Sequence, residues 1–240
     1  MIKAVNLSVS FGERQVLKNL NIQIPENQIT VLSGPNGAGK TTLLKTFAGI
    51  IPTKDNQISN SFKEIFYLPQ RPHCPLNITL FDYISLSFFK NSFKWFINSC
   101  EKQKIRDILI SLGLYEKKDI FVENLSSGEF QMANIALALI SNADCILFDE
   151  PTSNMDLINQ IKVMNIIKDL KSKNITSVVV MHDLNLASKL GDCFIGINQN
   201  FEVFSYDKTE FFTPEVLHKI FNLNFEVTNN DEKYNISVIN

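Results

Sequence analysis

The sequence predicts an α/β protein built on a parallel sheet with helices on both faces. Two observations lead there. Short apolar, β-branched runs alternate with helical patterns, and the order strand-helix-strand-helix needs crossovers between parallel strands. One of those runs, Ile29-Thr30-Val31-Leu32, passes directly into a glycine-rich loop that opens a helix. The composition agrees: 45% hydrophobic and 20% charged residues over 240 positions exclude a wholly disordered or fibrous chain.

Along the chain, Val5–Phe11 and Asn21–Ile24 alternate apolar with polar residues and read as strands. After the buried strand 29–32, Thr41–Ile50 reads as a helix ended by Pro52, and Ile65–Leu68 as another strand. Residues 76–124 are mostly helical in pattern, with Ile105, Ile108, Leu109 and Leu112 at helical spacing and Gly113 as a stop. Helices over Ser126–Ser141 and Leu157–Lys173 flank a buried strand, Asp144–Asp149. Thr176–Met181 is a further strand and Ile195–Val203 a candidate hairpin. Thr213-Pro214-Glu215 supplies an N-cap, a first-turn proline and an early acid, so a short helix follows.

Several function classes are set aside by composition. The net charge of -2 argues against a general nucleic-acid binder. No apolar run reaches the roughly 18 residues of a membrane span; the best candidate, Ile78–Phe89, is broken by Asp82. Residues 1–6 lack the apolar core of an export signal. Cys74, Cys100, Cys145 and Cys193 show no zinc spacing and are expected to be reduced and structural. The 19 phenylalanines reflect either an AT-biased coding genome or a sticky surface.

Three motifs carry chemistry. Gly34-Pro35-Asn36-Gly37-Ala38-Gly39-Lys40-Thr41 fits G-x-x-x-x-G-K-[ST]. Its glycines let backbone N–H groups cradle an anion, the following helix adds its positive end, Lys40 can reach β- and γ-phosphates, and Thr41 can bind Mg²⁺. Asp149 and Glu150 end an apolar strand, where a parallel sheet binds ligands. Asp149 suits Mg²⁺, and Glu150 suits a general base for an attacking water. Alone, the pair also reads as a solvated turn. Leu125-Ser126-Ser127-Gly128-Glu129-Phe130-Gln131 is a capping box and, by the same geometry, an anion site at a helix start.

Together these residues resemble the ATP-binding cassette (ABC) ATPases. Leu125–Gln131 is similar to the family signature, usually LSGGQ. Phe11 resembles the aromatic that stacks on adenine, Gln70 the Q-loop glutamine, Glu150 the catalytic glutamate, Ser153-Asn154-Met155-Asp156 the D-loop and His182-Asp183 the switch histidine. The resemblance implies a P-loop core over residues 1–240, an N-terminal antiparallel β subdomain and a helical subdomain inserted over about 76–142. It implies ATP contacts from residues 34–42, including Thr42, and from Phe11, Ser126, Ser127, Gly128, Glu129 and Asp156. It places Gln70 beside Thr41 and Asp149 at the Mg²⁺. Ser127 stands where glycine is usual, Glu129 where glutamine is common, and Met132 where arginine normally follows. With only Arg14, Arg71 and Arg106 in the chain and none at a catalytic position, charge stabilisation falls to Lys40, Mg²⁺ and backbone N–H groups.

The resemblance further implies a head-to-tail dimer, in which the Ser126-Ser127-Gly128 of one copy faces the γ-phosphate held by Lys40 of the other. It implies peripheral attachment to separate transmembrane permease subunits at the cytoplasmic face of the cell membrane, served indirectly by a substrate-binding receptor. Segments 156–160, 181–187 and 212–227 are similar to importer ATPases for iron–siderophore, haem and cobalamin, while Pro75-Leu76-Asn77-Ile78-Thr79 is somewhat like zinc and manganese importers. The aromatic-rich stretch Phe81, Tyr83, Phe88, Phe89, Phe93, Trp95, Phe96 is either helix core or a docking groove for a permease helix. A soluble cassette enzyme and a non-hydrolysing nucleotide-binding regulator are the rival readings.

Overall fold

A computed structural model describes all residues except 55, 90–95, 154, 231–232 and 240. Strands β1 (Ile2–Phe11) and β2 (Arg14–Ile24) form an antiparallel hairpin, paired from Ile2↔Ile24 to Phe11↔Arg14. Both are longer than the alternation predicts. Asn6 and Asn19 each sit at φ 50°, and the register shifts near them, so bulges interrupt the period-two signal without ending the strands.

The chain continues through β3 (Ile29–Ser33), α1 (Lys40–Phe47), β4 (Ile58–Asn60) and β5 (Ile65–Leu68). Helix α1 ends at the Ala48 cap, ahead of the expected stop at Pro52. Helices α2 (Leu80–Ser85), α3 (Ser99–Ser111) and α4 (Ser127–Ile140) follow before β6 (Cys145–Asp149). Then come α5 (Leu157–Ser172), β7 (Thr176–Val180), α6 (Leu184–Leu190), β8 (Cys193–Ile197) and β9 (Val203–Tyr206). The last elements are α7 (Lys208–Phe211), α8 (Pro214–Phe221), β10 (Asn224–Asn230) and β11 (Lys233–Ile239).

The main sheet has strand order β5-β6-β7-β3-β8-β9, parallel throughout except for the antiparallel edge β9. Because side chains alternate across a strand, each central strand feeds two cores. Val31, Ile146, Phe148, Val179 and Phe194 point into one, shared with α4, α5, α6 and α8. Leu32, Cys145, Leu147, Val178, Val180 and Ile195 point into the other, shared with α1 and the β1–β2 hairpin. β4 joins β1 on the side away from β2. The expected parallel sheet with helices and the separate antiparallel sheet are both present.

Helices α2, α3 and α4 pack on one another through Leu80, Ile84, Ile105, Leu109, Met132 and Ile135, all buried. The Tyr83 hydroxyl donates to Asn134 Oδ1 at 2.7 Å across α2 and α4. The aromatic stretch divides. Tyr83 is buried and Phe81 and Phe88 pack against the core, whereas Phe96 is 86% exposed beside a groove of about 410 Å³ that Phe81, Leu86 and Phe89 also line. Phe93 and Trp95 lie outside the described residues.

Helices α6 and α7 and the β10–β11 hairpin are not among the expected elements. That hairpin alternates apolar with polar residues at Phe225, Val227, Tyr234, Ile236 and Val238, and it is also held from the side. The Asn185 amide on α6 donates to Ile236 O at 3.0 Å and accepts from Ile236 N at 2.8 Å, imitating a strand partner. Tyr234 packs on Phe212, which meets Phe194 and Phe211 with ring centroids at 4.8 and 5.2 Å. Part of the phenylalanine excess therefore serves the core. Asn185→Ala should strip both partners from a half-buried backbone position and lower stability by about 1–3 kcal/mol, read by urea denaturation.

Candidate active site

The carboxyl ends of neighbouring parallel strands bring the sequence motifs together. The phosphate loop leaves β3 and opens α1, the acid pair ends β6, and His182 follows β7, which lies between them. Gln70 lies just beyond β5. This is the edge where an open α/β sheet binds its ligands.

The loop is shaped by its glycines. A Cβ on Gly34 would stand 2.1 Å from Ile197 O, so this backbone lies flush against the end of β8. Gly39, at φ 90°, caps α1 and leaves no room either: its Cβ would meet Leu17 Cδ2 at 2.5 Å and Val16 O at 2.8 Å. The loop is thus braced by β8 on one side and β2 on the other. Pro35, Asn36, Gly37 and Ala38 span the turn between them, with Ala38 N donating to Pro35 O at 3.3 Å.

Lys40 is buried, and its Nζ donates to Gly34 O and Pro35 O, each at 2.8 Å. Burial pushes the ammonium pKa down, partly offset by the nearby Glu150 and Asp149. Thr41 Oγ1 donates to Asp149 Oδ1 at 3.2 Å, and Thr42 follows on the same first turn. Asp149 is itself buried; loss of hydration raises its pKa, opposed by the hydrogen bonds from Thr41 and Tyr67. The Tyr67 hydroxyl donates to Asp149 Oδ2 at 3.1 Å.

Glu150 stands at φ 52°, a left-handed backbone that a glutamate adopts at a cost of about 1–3 kcal/mol. The turn aims its carboxylate at two partners. Gln70 Nε2 donates to Oε2, and His182 Nε2 lies 2.8 Å from Oε1. An ionised carboxylate only accepts, so that contact requires the proton on Nε2. Gln70 meets Glu150 here rather than Thr41 or Asp149.

Two hard oxygen donors, Thr41 Oγ1 and Asp149 Oδ1, converge at the start of α1. Among the described residues no cluster of three or more His, Cys, Asp or Glu could hold a metal. Such a sparse oxygen set fits Mg²⁺, which keeps several waters and shares the rest of its shell with phosphate. It does not fit an ion that needs a full protein cage.

The signature region sits elsewhere. Ser126 caps α4 by accepting from Glu129 N at 3.4 Å, while Ser126 N donates to Glu129 Oε2 at 3.0 Å. Lys117 also pairs with Glu129 and, with the Ser126 backbone, holds its carboxyl below the usual range. Ser126, Ser127, Gly128 and Glu129 line a cavity of about 400 Å³ together with Asp156 and Asn159. Asp156 caps α5 by accepting from Asn159 N at 2.8 Å. No residue of the phosphate loop lines this cavity, so within one chain the signature and the loop form separate surfaces. Asn154 falls outside the described residues. Phe11, 54% exposed, ends β1 opposite Arg14, five residues before the Val16 carbonyl that braces Gly39.

Sequence reasoning missed Tyr67 and Lys117. Tyr67 reads as an ordinary strand residue; only the parallel pairing Tyr67↔Leu147 sets its hydroxyl beside Asp149. Lys117 lies 12 residues from Glu129 in a single 3₁₀ turn, a separation that no local pattern marks.

A phosphate loop after β3 and an acid pair after β6, with one strand between them, define a P-loop nucleotide hydrolase. A family model described as ABC transporter matches residues 17–153, and the chain belongs to that family. The iron(3+)-hydroxamate import ATP-binding protein FhuC of Bacillus subtilis is 29% identical over 235 residues, covering 92% of this chain and 87% of that protein. A metal-chelate type ABC transporter solved in an inward-facing conformation is similar over 99% of this chain and 96% of that one, with TM-score 0.85 and 26% identity. The ATP-binding cassette MJ0796, solved as a post-hydrolysis dimer with ADP and Pi, is similar at TM-score 0.74 and 27% identity, covering 87% of this chain and 99% of that one. The chain is an ABC ATPase that binds and hydrolyses ATP.

Proposed function

We propose that this ATPase is the motor subunit of a bacterial importer for a metal chelate, such as an iron–siderophore, haem or a cobalamin-like molecule. The observation that carries the hydrolytic part is Glu150, held in a strained turn between Gln70 and His182, next to the Asp149–Thr41 pair. The cargo class is supported by the iron(3+)-hydroxamate and metal-chelate relatives.

In this reading Lys40 leaves the carbonyls of Gly34 and Pro35 and reaches the β- and γ-phosphates, while the N–H groups of residues 34–42 cradle them. Thr41 and Asp149, with Gln70 nearby, would hold Mg²⁺, which would neutralise phosphate charge when bound. Glu150 accepts a proton from the attacking water, and its carboxylate must first be freed from one of its two partners. His182 then turns to the γ-phosphate and senses its departure. Phe11 stacks on adenine from the rim of the β1–β2 hairpin.

The site is completed by a second copy, head to tail. The separation of signature and loop within one chain supports this, because Ser126, Ser127, Gly128 and Glu129 face the γ-phosphate of the other copy only across an interface. Beside them the first turns of α5 expose Leu157, Ile158 and Ile161 at 65%, 69% and 49%. A contiguous apolar stripe next to the Asp156 cap suits a surface covered by the partner. Ile158→Glu should prevent ATP-driven dimerisation in a hydrolysis-deficient background while leaving monomer nucleotide binding intact, read by light scattering with and without ATP.

No described helix is long and apolar enough to cross a membrane. By analogy with its importer relatives, coupling runs through permease subunits at the cytoplasmic face, docked in the aromatic groove between α2 and residues 96–97 of the inserted helical region, about 76–142. A receptor feeds those permeases, and no nucleic acid takes part. The test is affinity purification of the chain in detergent with its genomic neighbours expressed. Recovery of a membrane permease and of stimulated MgATP hydrolysis is expected; recovery of soluble partners alone would overturn the importer reading.

A further inference from the structure

Asp149 is buried, yet one of its oxygens faces away from Thr41 and needs a partner of its own. That partner is Tyr67, whose hydroxyl donates to Oδ2 at 3.1 Å while Thr41 occupies Oδ1 at 3.2 Å. The two bonds engage opposite oxygens of one carboxylate and leave it a single orientation about its last side-chain bond. Tyr67 is well placed to impose that orientation. It lies within β5, in register with Leu147 two residues before Asp149, and its ring packs against the core shared with α1. Gln70, three residues further on, lies beyond the end of β5 and reaches Glu150 instead. The same segment thus touches both acids, but through a fixed member and a loop member.

We infer that Tyr67 is a positioning residue for the cation site, fixing the Asp149 carboxylate so that Oδ1 is presented beside Thr41. Groups that hold a metal-binding carboxylate from behind set the metal affinity, and their loss costs about 10- to 100-fold. The inference rests on the assignment of Thr41 and Asp149 to the cation. Tyr67→Phe keeps the ring and its packing and deletes only the hydroxyl.

The experiment titrates Mn²⁺, as a paramagnetic stand-in for Mg²⁺, into full-length protein saturated with ATP, with bound metal followed by electron paramagnetic resonance in a Glu150→Gln background. Fluorescent-ATP binding in excess chelator is measured in parallel. Asp149→Asn tests the underlying assignment: its metal affinity should collapse, and wild-type affinity in that variant would overturn the cation reading itself. With that arm as expected, Tyr67→Phe should bind Mn²⁺ about tenfold more weakly and bind metal-free ATP as wild type does. Unchanged Mn²⁺ affinity in Tyr67→Phe would overturn the inference. Parallel loss of metal and metal-free nucleotide binding would also overturn it, by reducing Tyr67 to a packing role. Thermal denaturation of each variant reports folding, and Tyr67→His, which retains a ring N–H donor, should recover part of the metal affinity.

Discussion

Glu150→Gln should bind MgATP and hydrolyse it at least about 100 times more slowly than wild type, the usual contribution of a positioned general base. The substitution removes the proposed proton acceptor but keeps the size of the side chain. It also keeps hydrogen-bonding capacity toward Gln70 and His182, so the strained turn at φ 52° has reason to persist. The binding determinants proposed at Lys40, Thr41 and the loop backbone are untouched. ATP should therefore accumulate on the protein, and with it the closed dimer. Two measurements separate the steps: phosphate release under single-turnover conditions, and molar mass by light scattering with and without ATP. Hydrolysis at the wild-type rate would remove Glu150 from its proposed role. Slow hydrolysis without any dimer would leave the base in place and remove the head-to-tail arrangement.

Gly39→Ala should abolish nucleotide binding and destabilise the chain by about 3 kcal/mol or more. Two costs combine at this position. The backbone sits at φ 90°, where an L side chain is strained, and the new Cβ would lie 2.8 Å from Val16 O and 2.5 Å from Leu17 Cδ2. One of those neighbours is backbone in a paired strand and the other a fully buried side chain, so neither yields cheaply. Relief requires the loop to lift from β2, which moves the α1 N-terminus and Lys40 with it. Gly113→Ala provides the control: φ is 72° there, but nothing lies within 4 Å of the added atom, so only the conformational cost of about 1 kcal/mol applies. Chemical denaturation and MgATP titration of both variants test the difference. Equal losses would show that close approach contributes nothing at Gly39.

The parts of the fold most legible in the sequence are those with an uninterrupted local period. Residues 29–32, 145–149 and 176–180 are runs rich in apolar and β-branched residues because both faces of the central strands are buried, and they fall where patterning predicts. Helix starts at Ser126 and Thr213 are equally legible, since a cap is a contact between residues three apart. Legibility fails where a distant partner supplies the order. The β1–β2 hairpin is broken into short patterned pieces by bulges at Asn6 and Asn19. The side anchor of the β10–β11 hairpin, Asn185, lies 51 residues before its partner Ile236.

The site divides in the same way. Lys40, Thr41, Asp149, Glu150, Ser126 and His182 stand in short motifs because phosphate binding and helix capping use consecutive backbone groups, so their chemistry is written in adjacent letters. The contacts among these side chains are not. Glu150 is shared between Gln70 and His182, Asp149 between Thr41 and Tyr67, and Glu129 is paired with Lys117, through side chains as far as 108 residues apart. Spacing along the chain carries no information about such contacts. Strand order and register create those of Glu150 and Asp149, by setting the ends of β5, β6, β7 and β3 side by side, while packing of the 115–117 turn against the start of α4 creates that of Glu129.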